Sequence, residues 1–598
     1  KNFENSRAKI IMNQVKSSYL DNKERDQVEK WLETFTQALE NGQSNDLRHC
    51  FSDNAHWRDL LAFTWSIVPF EGQDAICRGL IKSQSNTKAS HFSLADNRTP
   101  PRKISRLGED VIEGIFTFET ALGRGEGVVR LLADEPSKAW IFLTTLFELR
   151  GFEEKQGARR PSGEAYSRNF GGSNWLDQRE LARAFQDRDP QVLVIGGGQA
   201  GLAVAARLGQ LDIDALVIDK HERIGDNWRK RYHSLALHNQ IHVNHLPYMP
   251  FPPTWPKYIP KDMLANWFEA YSEALQINYW TSSEFVAGKY DDDKNRWEAV
   301  IKQKDGTNRT LYPSHVIFAN GVSGIPYIPK LPGLENFKGS VVHSHSFTHG
   351  AEWAGKQVLV LGTGNSGHDV AQDLHSHGVE TAIMQRGSTT VVSIDPSAKL
   401  NYALYDEGPP IEDCDLIASV ATYPLVVKGY QMAVKKMAEL DKELIAALIQ
   451  RGFKYDLGED QTGHQMKYRR RGGGYYLDAG CSQLIIDEEI SLLQFDNMDE
   501  FIETGMRLKN GEKKQYDAVI LATGYYTQKE LVKRLLGNQV AENIGEVWGV
   551  GEDGEMANMW KKTSQKGLWF MAGSLAQCRI YSKYLALQIK AIEEKLVL

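Results

Sequence analysis

Five cysteines (Cys50, Cys77, Cys414, Cys481 and Cys578) are scattered over 598 residues, and no two of them stand in a CxxC spacing. That excludes a dithiol redox motif and gives no zinc-ligand spacing, so no metal site is expected and a reducing, cytoplasmic location is. No apolar run reaches the roughly 18 residues that a membrane-spanning helix needs. The mixed stretch at residues 593–598 is not read as an anchor either. The formal net charge is −7, without a polybasic block. Nucleic acid and anionic membrane are therefore not expected partners. The nearest thing to a basic cluster, Arg469-Arg470-Arg471 between Tyr468 and Gly472-Gly473-Gly474-Tyr475-Tyr476, reads as lining a phosphate or a charged interface. The chain begins at Lys1 rather than Met, which leaves a removed targeting segment open.

What the chain does have is one motif twice. Gly196-x-Gly198-x-x-Gly201 follows the apolar run Val192-Leu193-Val194-Ile195, and Gly362-x-Gly364-x-x-Gly367 follows Val358-Leu359-Val360-Leu361. A helix-like segment comes after each. In such a unit the first glycine permits a tight turn, the second lets backbone approach a pyrophosphate, and the third lets helix pack on strand. The helix N-terminus then offers free amides and the positive end of its dipole. Gln199 and Ala200 complete the first turn; Asn365 and Ser366 in the second either donate to phosphate or cap the helix. The strand after each motif separates the two nucleotides. Ala215-Leu216-Val217-Ile218 runs into Asp219-Lys220, where the carboxylate can accept from a ribose diol. Thr381-Ala382-Ile383-Met384 runs into Gln385-Arg386, where a guanidinium suits a 2′-phosphate, the other reading being a solvated surface arginine. The simplest assignment puts FAD on the first site and NADPH on the second.

Between the fingerprints, Phe337-Lys338-Gly339-Ser340-Val341-Val342-His343-Ser344-His345-Ser346-Phe347 matches FxGxxxHxxx followed by an aromatic. Three further segments keep it company: Gly225-x-x-Trp228-x-x-Arg231-Tyr232-x-x-Leu235-x-Leu237-His238, Leu246-Pro247-Tyr248-Met249-Pro250-Phe251-Pro252, and Leu521-Ala522-Thr523-Gly524-Tyr525. From about residue 189 onward the chain resembles the class B flavoprotein monooxygenases. It is most similar in these segments to flavin-containing monooxygenases, which include plant indole-3-pyruvate monooxygenases and fungal homologues. The resemblance implies that NADPH reduces FAD and that reduced flavin activates dioxygen and delivers one oxygen atom to a small organic substrate. It puts Trp228, Arg231 and His238 in the flavin-contacting segment, Asn239 near the ring, and Thr523, Gly524 and Tyr525 against cofactor. Arg231, His238, Asn239 and His343 are the candidate catalytic residues. Trp228 also reads as core, and His238 as a structural hydrogen-bonder. Phe347-Thr348 stands where Baeyer–Villiger enzymes usually carry tryptophan and then proline or aspartate. That favours N-, S- or carbon-centred oxygenation, or oxidative decarboxylation of a 2-oxo acid. A Baeyer–Villiger enzyme, an oxidase-like NADPH flavoenzyme and a bifunctional protein stay as alternatives. Ala319-Asn320-Gly321 departs from the Ala-Thr-Gly common in relatives, in a turn that asparagine tolerates.

The expected fold class is α/β: two Rossmann-like dinucleotide-binding domains, with the NADP domain inserted into the FAD domain, preceded by an α+β cone. The expected boundaries are 1–150 for the cone, 151–189 for a linker, 190–330 for the first FAD part, 331–515 for the NADP domain and 516–598 for the second FAD part. The run at 518–525 is expected to return the chain to the FAD domain, and residues 395–487 to form a less regular substrate-side insertion. A terminal helix is expected over 582–595. In the first 150 residues, a helix-like stretch at 28–40 and strands at 91–94, 111–119, 125–133 and 139–149 resemble the nuclear-transport-factor-like cone. His56 and Asp59 there read either as an acid and base pair or as strand-edge structure. A homodimer is compatible with the sequence, which does not fix the oligomeric state.

Overall fold

Three sheets carry the architecture of the computed structural model, which describes residues 22–163, 166 and 168–597. The opening of the expected cone at residues 1–21, positions 164, 165 and 167 of the expected linker, and residue 598 of the terminal stretch lie outside the described residues. The first sheet has seven strands. Ile67–Glu71, Phe51–Leu60, Ala139–Leu149, Gly123–Leu132, Glu109–Glu119 and Ser90–Leu94 follow one another across it, and Arg102–Arg106 also pairs with Glu109–Glu119. Pairing is antiparallel except between Phe51–Leu60 and Ala139–Leu149. The helices Asn22–Asn41 and Gln73–Thr87 accompany the sheet, and its interior is filled by rings. Trp31 stacks on Phe35 at 5.0 Å and Phe116 on Phe142 at 5.4 Å. Offset and edge-on ring packing of this kind adds to area burial.

Two parallel five-stranded sheets follow. The first runs Asn278–Trp280, Ala215–Ile218, Val192–Ile195, His315–Phe318, Leu568–Phe570. Its inner strands are buried along their whole length, as strands covered on both faces must be. The second runs Ser340–His343, Ala518–Leu521, Gln357–Leu361, Glu380–Gln385, Ser491–Gln494. This corrects the boundary expected at residue 516. Ala518–Leu521 sits inside the second sheet, with Ala518 opposite both Ser340 and Val358, and the first sheet is regained only by Leu568–Phe570 beside His315–Phe318. A four-residue apolar strand fits either parallel sheet, so its own composition cannot choose between them. The lobes are joined by a short antiparallel ribbon of Ile325–Pro326 and Tyr525–Tyr526.

The segment expected to be irregular is largely helical: Ile411–Ala418, Tyr423–Leu440, Lys442–Gln450 and Gly463–Arg471. Pro424 in the first turn of Tyr423–Leu440 is a start signal that marks it. The connection to the nucleotide domains carries a helix of its own, Trp175–Ala184, closed by a capping box of Asn174 and Asp177. The terminal helix starts earlier than expected, at Leu575, because Ser574 and Gln577 form a second capping box. It packs on the first fingerprint helix, Gln199–Gln210.

The N-terminal layer is fastened to the rest by buried polar contacts. Arg58 donates to both carboxylate oxygens of Glu555 at 2.7 Å and to the Ser419 carbonyl at 2.8 Å. The Asp413 carboxylate accepts from the Thr99 backbone N–H at 2.7 Å and pairs with Arg98.

Candidate functional site

A single cavity of about 2430 Å³ runs between the two parallel sheets, under the helical insertion and up to the N-terminal sheet. All of the cofactor and catalytic candidates read from the sequence line it, apart from Gly201 and His343, which lie behind its wall.

The two fingerprints are built alike. Gly196 and Gly362 take φ of +105° and +120°, a region that side chains disfavour, and turn the chain sharply beneath Ala319 and Ala522 respectively. Gly201 and Gly367 lie against the carbonyl oxygens of Gly196 and Gly362, so that a Cβ at either would fall about 2 Å from backbone oxygen. The helices Gln199–Gln210 and Asn365–Ser376 begin at Gly198 and Gly364, and neither N-cap has a side-chain acceptor. Their first amides therefore remain available to phosphate oxygens, which is the test of fit that a dinucleotide sets.

Around the first cradle, Asp219 at the end of Ala215–Ile218 accepts from the backbone N–H of Gly197 at 2.8 Å and of His221 at 2.9 Å. Its carboxylate is held at the turn, with lone pairs left for a ribose diol. Gln199 accepts from the Trp228 indole N–H at 3.2 Å, which ties Trp228 to the fingerprint helix. Ala200 is buried in that helix, and Lys220 is exposed at the cavity edge. Arg231 is half-buried and its side chain has no hydrogen bond or ion pair among the described residues, so a free guanidinium lines the cavity. His238 lies in the same wall. Its side chain is open to the cavity, and desolvation by the surrounding protein wall lowers its pKa to about 4, so it is a neutral hydrogen-bonder near pH 7. Asn239 donates to the Tyr402 hydroxyl at 3.1 Å, linking the segment after His238 to the helical insertion.

At the second cradle, Asn365 does not cap its own helix. Its Oδ1 accepts from the backbone N–H of Leu477 at 2.8 Å, leaving Nδ2 to donate. Ser366 is half-buried beside it. Gln385 is buried and exchanges hydrogen bonds with the Lys454 backbone. Arg386, the next residue, is exposed, lines the cavity and makes no ion pair among the described residues. Thr523 donates to the Tyr327 carbonyl, and Gly524 accepts from the Tyr327 N–H at 2.9 Å, so Thr523, Gly524 and Tyr525 form the crossing between lobes.

His343 has both ring nitrogens committed. Nδ1 accepts from the His345 N–H at 3.0 Å, which puts the proton on Nε2, where it is donated to the Gly524 carbonyl at 3.0 Å. That geometry fits a residue that positions the interlobe crossing and leaves no nitrogen for a substrate. A second interlobe contact was not legible as a pair. The Tyr232 hydroxyl donates to Asp369, on the second fingerprint helix. Burial raises Asp369 to about 6, with the tyrosine opposing the shift. The native state therefore holds its proton more tightly than the unfolded chain, and stability falls as pH rises from about 4 to about 6. Asp369→Asn is expected to remove about 2 kcal/mol of that fall while keeping an acceptor for Tyr232. Urea midpoints at pH 4 and pH 8 check it; an unchanged slope means that the ionised carboxylate is compensated in the native fold.

His56 and Asp59 are not brought together. His56 contacts the Thr422 hydroxyl at 2.8 Å across the domain interface. Asp59 is wholly buried and accepts from Thr144, Phe63 and Thr64. Of the three adjacent arginines, Arg470 pairs with Asp460 at 2.6 Å inside the insertion, while Arg469, which donates to Tyr430 at 3.0 Å, and Arg471, 3.7 Å from Glu459, also line the cavity. No helix among the described residues is long and apolar enough to cross a membrane, and no group of side chains among them could hold a metal ion.

A family model described as "FMO-like: Flavin-binding monooxygenase-like" matches residues 189–541. The probable indole-3-pyruvate monooxygenase YUCCA4 of Arabidopsis thaliana is 27% identical over 338 residues, which cover 56% of this chain and 75% of that protein. Indole-3-pyruvate monooxygenase YUCCA1 of Oryza sativa subsp. japonica is 28% identical over 343 residues, covering 56% and 77%. Among solved structures, a flavin-containing monooxygenase from Stenotrophomonas maltophilia aligns with a TM-score of 0.47 and 18% identity over 68% of this chain and 99% of that one.

Proposed function

The chain belongs to the flavin-binding monooxygenase-like family and is an FAD- and NADPH-dependent monooxygenase acting on a small organic substrate, and from that premise we propose how its residues divide the work. FAD lies on the fingerprint at Gly196–Gly201, with the Asp219 carboxylate on its ribose. NADPH lies on the fingerprint at Gly362–Gly367, with Arg386 on its 2′-phosphate. The observation that carries this division is the contrast at the two strand ends: a tethered carboxylate at Asp219 and an exposed, unpaired guanidinium at Arg386. When bound, FAD reduced by NADPH supplies the electrons that activate dioxygen, one atom going to substrate and the other to water.

The protein's part is to bind, orient and exclude water. Arg231 offers a charge-assisted donor to an anionic group of bound nucleotide. His238, kept neutral by the protein wall around it, and Asn239, held by Tyr402, give hydrogen-bonding groups in the wall between cofactor and insertion. His343 holds the crossing between lobes in place. The relatives' names point to indole-3-pyruvate as their substrate, so 2-oxo acids are the first class to screen here, with amines, sulfides and ketones after them.

Arg386→Ala is expected to raise the KM for NADPH by about 10- to 100-fold and to leave the value for NADH nearly unchanged. Steady-state oxidation of the two nucleotides checks this directly. Equal losses for both would move the 2′-phosphate away from Arg386. Anaerobic bleaching of the purified yellow protein by NADPH, followed by oxygen addition with and without substrate, tests the wider reading. Peroxide release with every substrate class would favour an oxidase-like flavoenzyme.

A further inference from the structure

The cavity does not end within the nucleotide domains. At its far end Ser105, Arg106, Leu107 and Arg130 of the N-terminal sheet form part of its wall. Arg102 and Arg106 lie on the strand Arg102–Arg106, Arg130 on Gly123–Leu132 and Glu113 on the strand between them, so pairing across the sheet gathers them on one patch. Glu113 accepts from all three guanidiniums: Arg102 at 2.9 Å, Arg106 at 2.9 Å and Arg130 at 2.8 Å. Glu407, from the insertion, pairs with Arg102 and Arg106, each at 2.8 Å. No further carboxylate pairs with these arginines among the described residues. Three guanidiniums thus share two carboxylates, leaving one positive charge in excess.

That surplus lies at a place where water screens it poorly. Arg130 is only 5% exposed, and Arg106 is largely covered. Burial first, and then the neighbouring Arg106, lower the Arg130 pKa against the pull of Glu113, whereas Arg106, paired with both carboxylates, is shifted upward. Buried charge without a partner is unfavourable, and an anion from solution supplies one. Apolar groups stand beside it: Leu107 lies against Gly429 of the insertion and Met432 approaches Gly108, and Ile417 and Val426 of the insertion line the same cavity.

Resting on the monooxygenase reading above, we propose that this end of the cavity is an anion subsite, in which Arg106 and Arg130 take the carboxylate of a small organic acid whose apolar body lies along the insertion. The N-terminal domain is thereby part of the substrate site. Specificity comes from the charge balance: an acid fills the deficit, and its uncharged isostere does not.

The test changes the balance in both directions. Titration calorimetry on the FAD-loaded full chain compares 4-phenylbutyrate with its neutral analogue 4-phenylbutyramide. The wild type is expected to bind the acid about tenfold more tightly than the amide. Glu407→Gln removes one of the two carboxylates and is expected to tighten the acid several-fold. Arg106→Gln removes the surplus and is expected to weaken it about tenfold, while the amide moves with neither variant. Opposite shifts cannot come from general damage to the fold. Equal binding of acid and amide by wild type, no heat with either, or a shift of the acid in the same direction in both variants would overturn the subsite. So would an NADPH affinity that follows the same two-way pattern, since the anion would then be a cofactor phosphate. Failure of NADPH to bleach the wild-type flavin would instead strike at the cofactor reading and leave the acid and amide comparison standing.

Discussion

Replacing Gly201 by alanine is expected to abolish flavin retention and to destabilise the first nucleotide domain by about 3 kcal/mol or more. The new Cβ would lie 2.0 Å from the Gly196 carbonyl oxygen, and that oxygen belongs to the turn that sets the helix on its strand. No side-chain rotation relieves such a contact, because both partners are backbone. The helix Gln199–Gln210 would have to move off Val192–Ile195, carrying away the amides proposed to face the FAD pyrophosphate. A flavin-to-protein absorbance ratio and a urea midpoint measure the two effects together. Gly209, in the last turn of the same helix, is the internal control: a Cβ there meets nothing within 4 Å, so Gly209→Ala is expected to keep flavin and gain about 0.5–1 kcal/mol of stability. A yellow Gly201→Ala protein of wild-type stability would mean that this helix is not packed as described. Gly198 is a milder position than its place in the motif suggests, since its Cβ would meet only the Asn227 side-chain amide, which can rotate away.

The second large effect lies at the domain interface. Arg58→Ala is expected to cost about 3–5 kcal/mol, because it leaves the Glu555 carboxylate buried opposite nothing. Both side chains are under a tenth exposed, and the guanidinium also serves the Ser419 carbonyl and the Tyr581 hydroxyl, so water cannot simply replace it. The paired change Arg58→Met with Glu555→Leu is expected to recover much of the loss, since replacing a buried ion pair by packed apolar groups is often close to neutral. A double-mutant cycle on thermal unfolding reads the coupling. If Arg58→Ala alone costs under about 1 kcal/mol, the N-terminal layer is not held by this pair.

Much of the site was legible residue by residue. Each fingerprint is a local structure, and its glycine spacing follows from contacts within a dozen residues. The structure accordingly has both turns and both uncapped helices at the places where the sequence puts them. The places of Asp219 and Arg386 were legible for the same reason, as each directly follows a strand whose pairing follows from the motif before it. The roles of His343 and Asn365 were not, because their partners Gly524 and Leu477 lie more than 100 positions away. Nor was the helical character of the insertion, because the buried positions Leu425, Val434 and Met437 of its longest helix do not fall on one helical face.

By itself the sequence determined the fold class, the two nucleotide cradles and the chemistry they serve, because short-range backbone geometry and phosphate recognition are written in consecutive residues. Only the tertiary structure decided which sheet takes the strand Ala518–Leu521, that His56 and Asp59 face different surroundings, and that Arg106 and Arg130 reach the same cavity as Arg231 and Arg386. Apolar strands are interchangeable in sequence, and long-range charge balance arises only when separate elements are packed together. The physical reason is therefore the same in each case: the deciding contacts join segments that no local pattern relates.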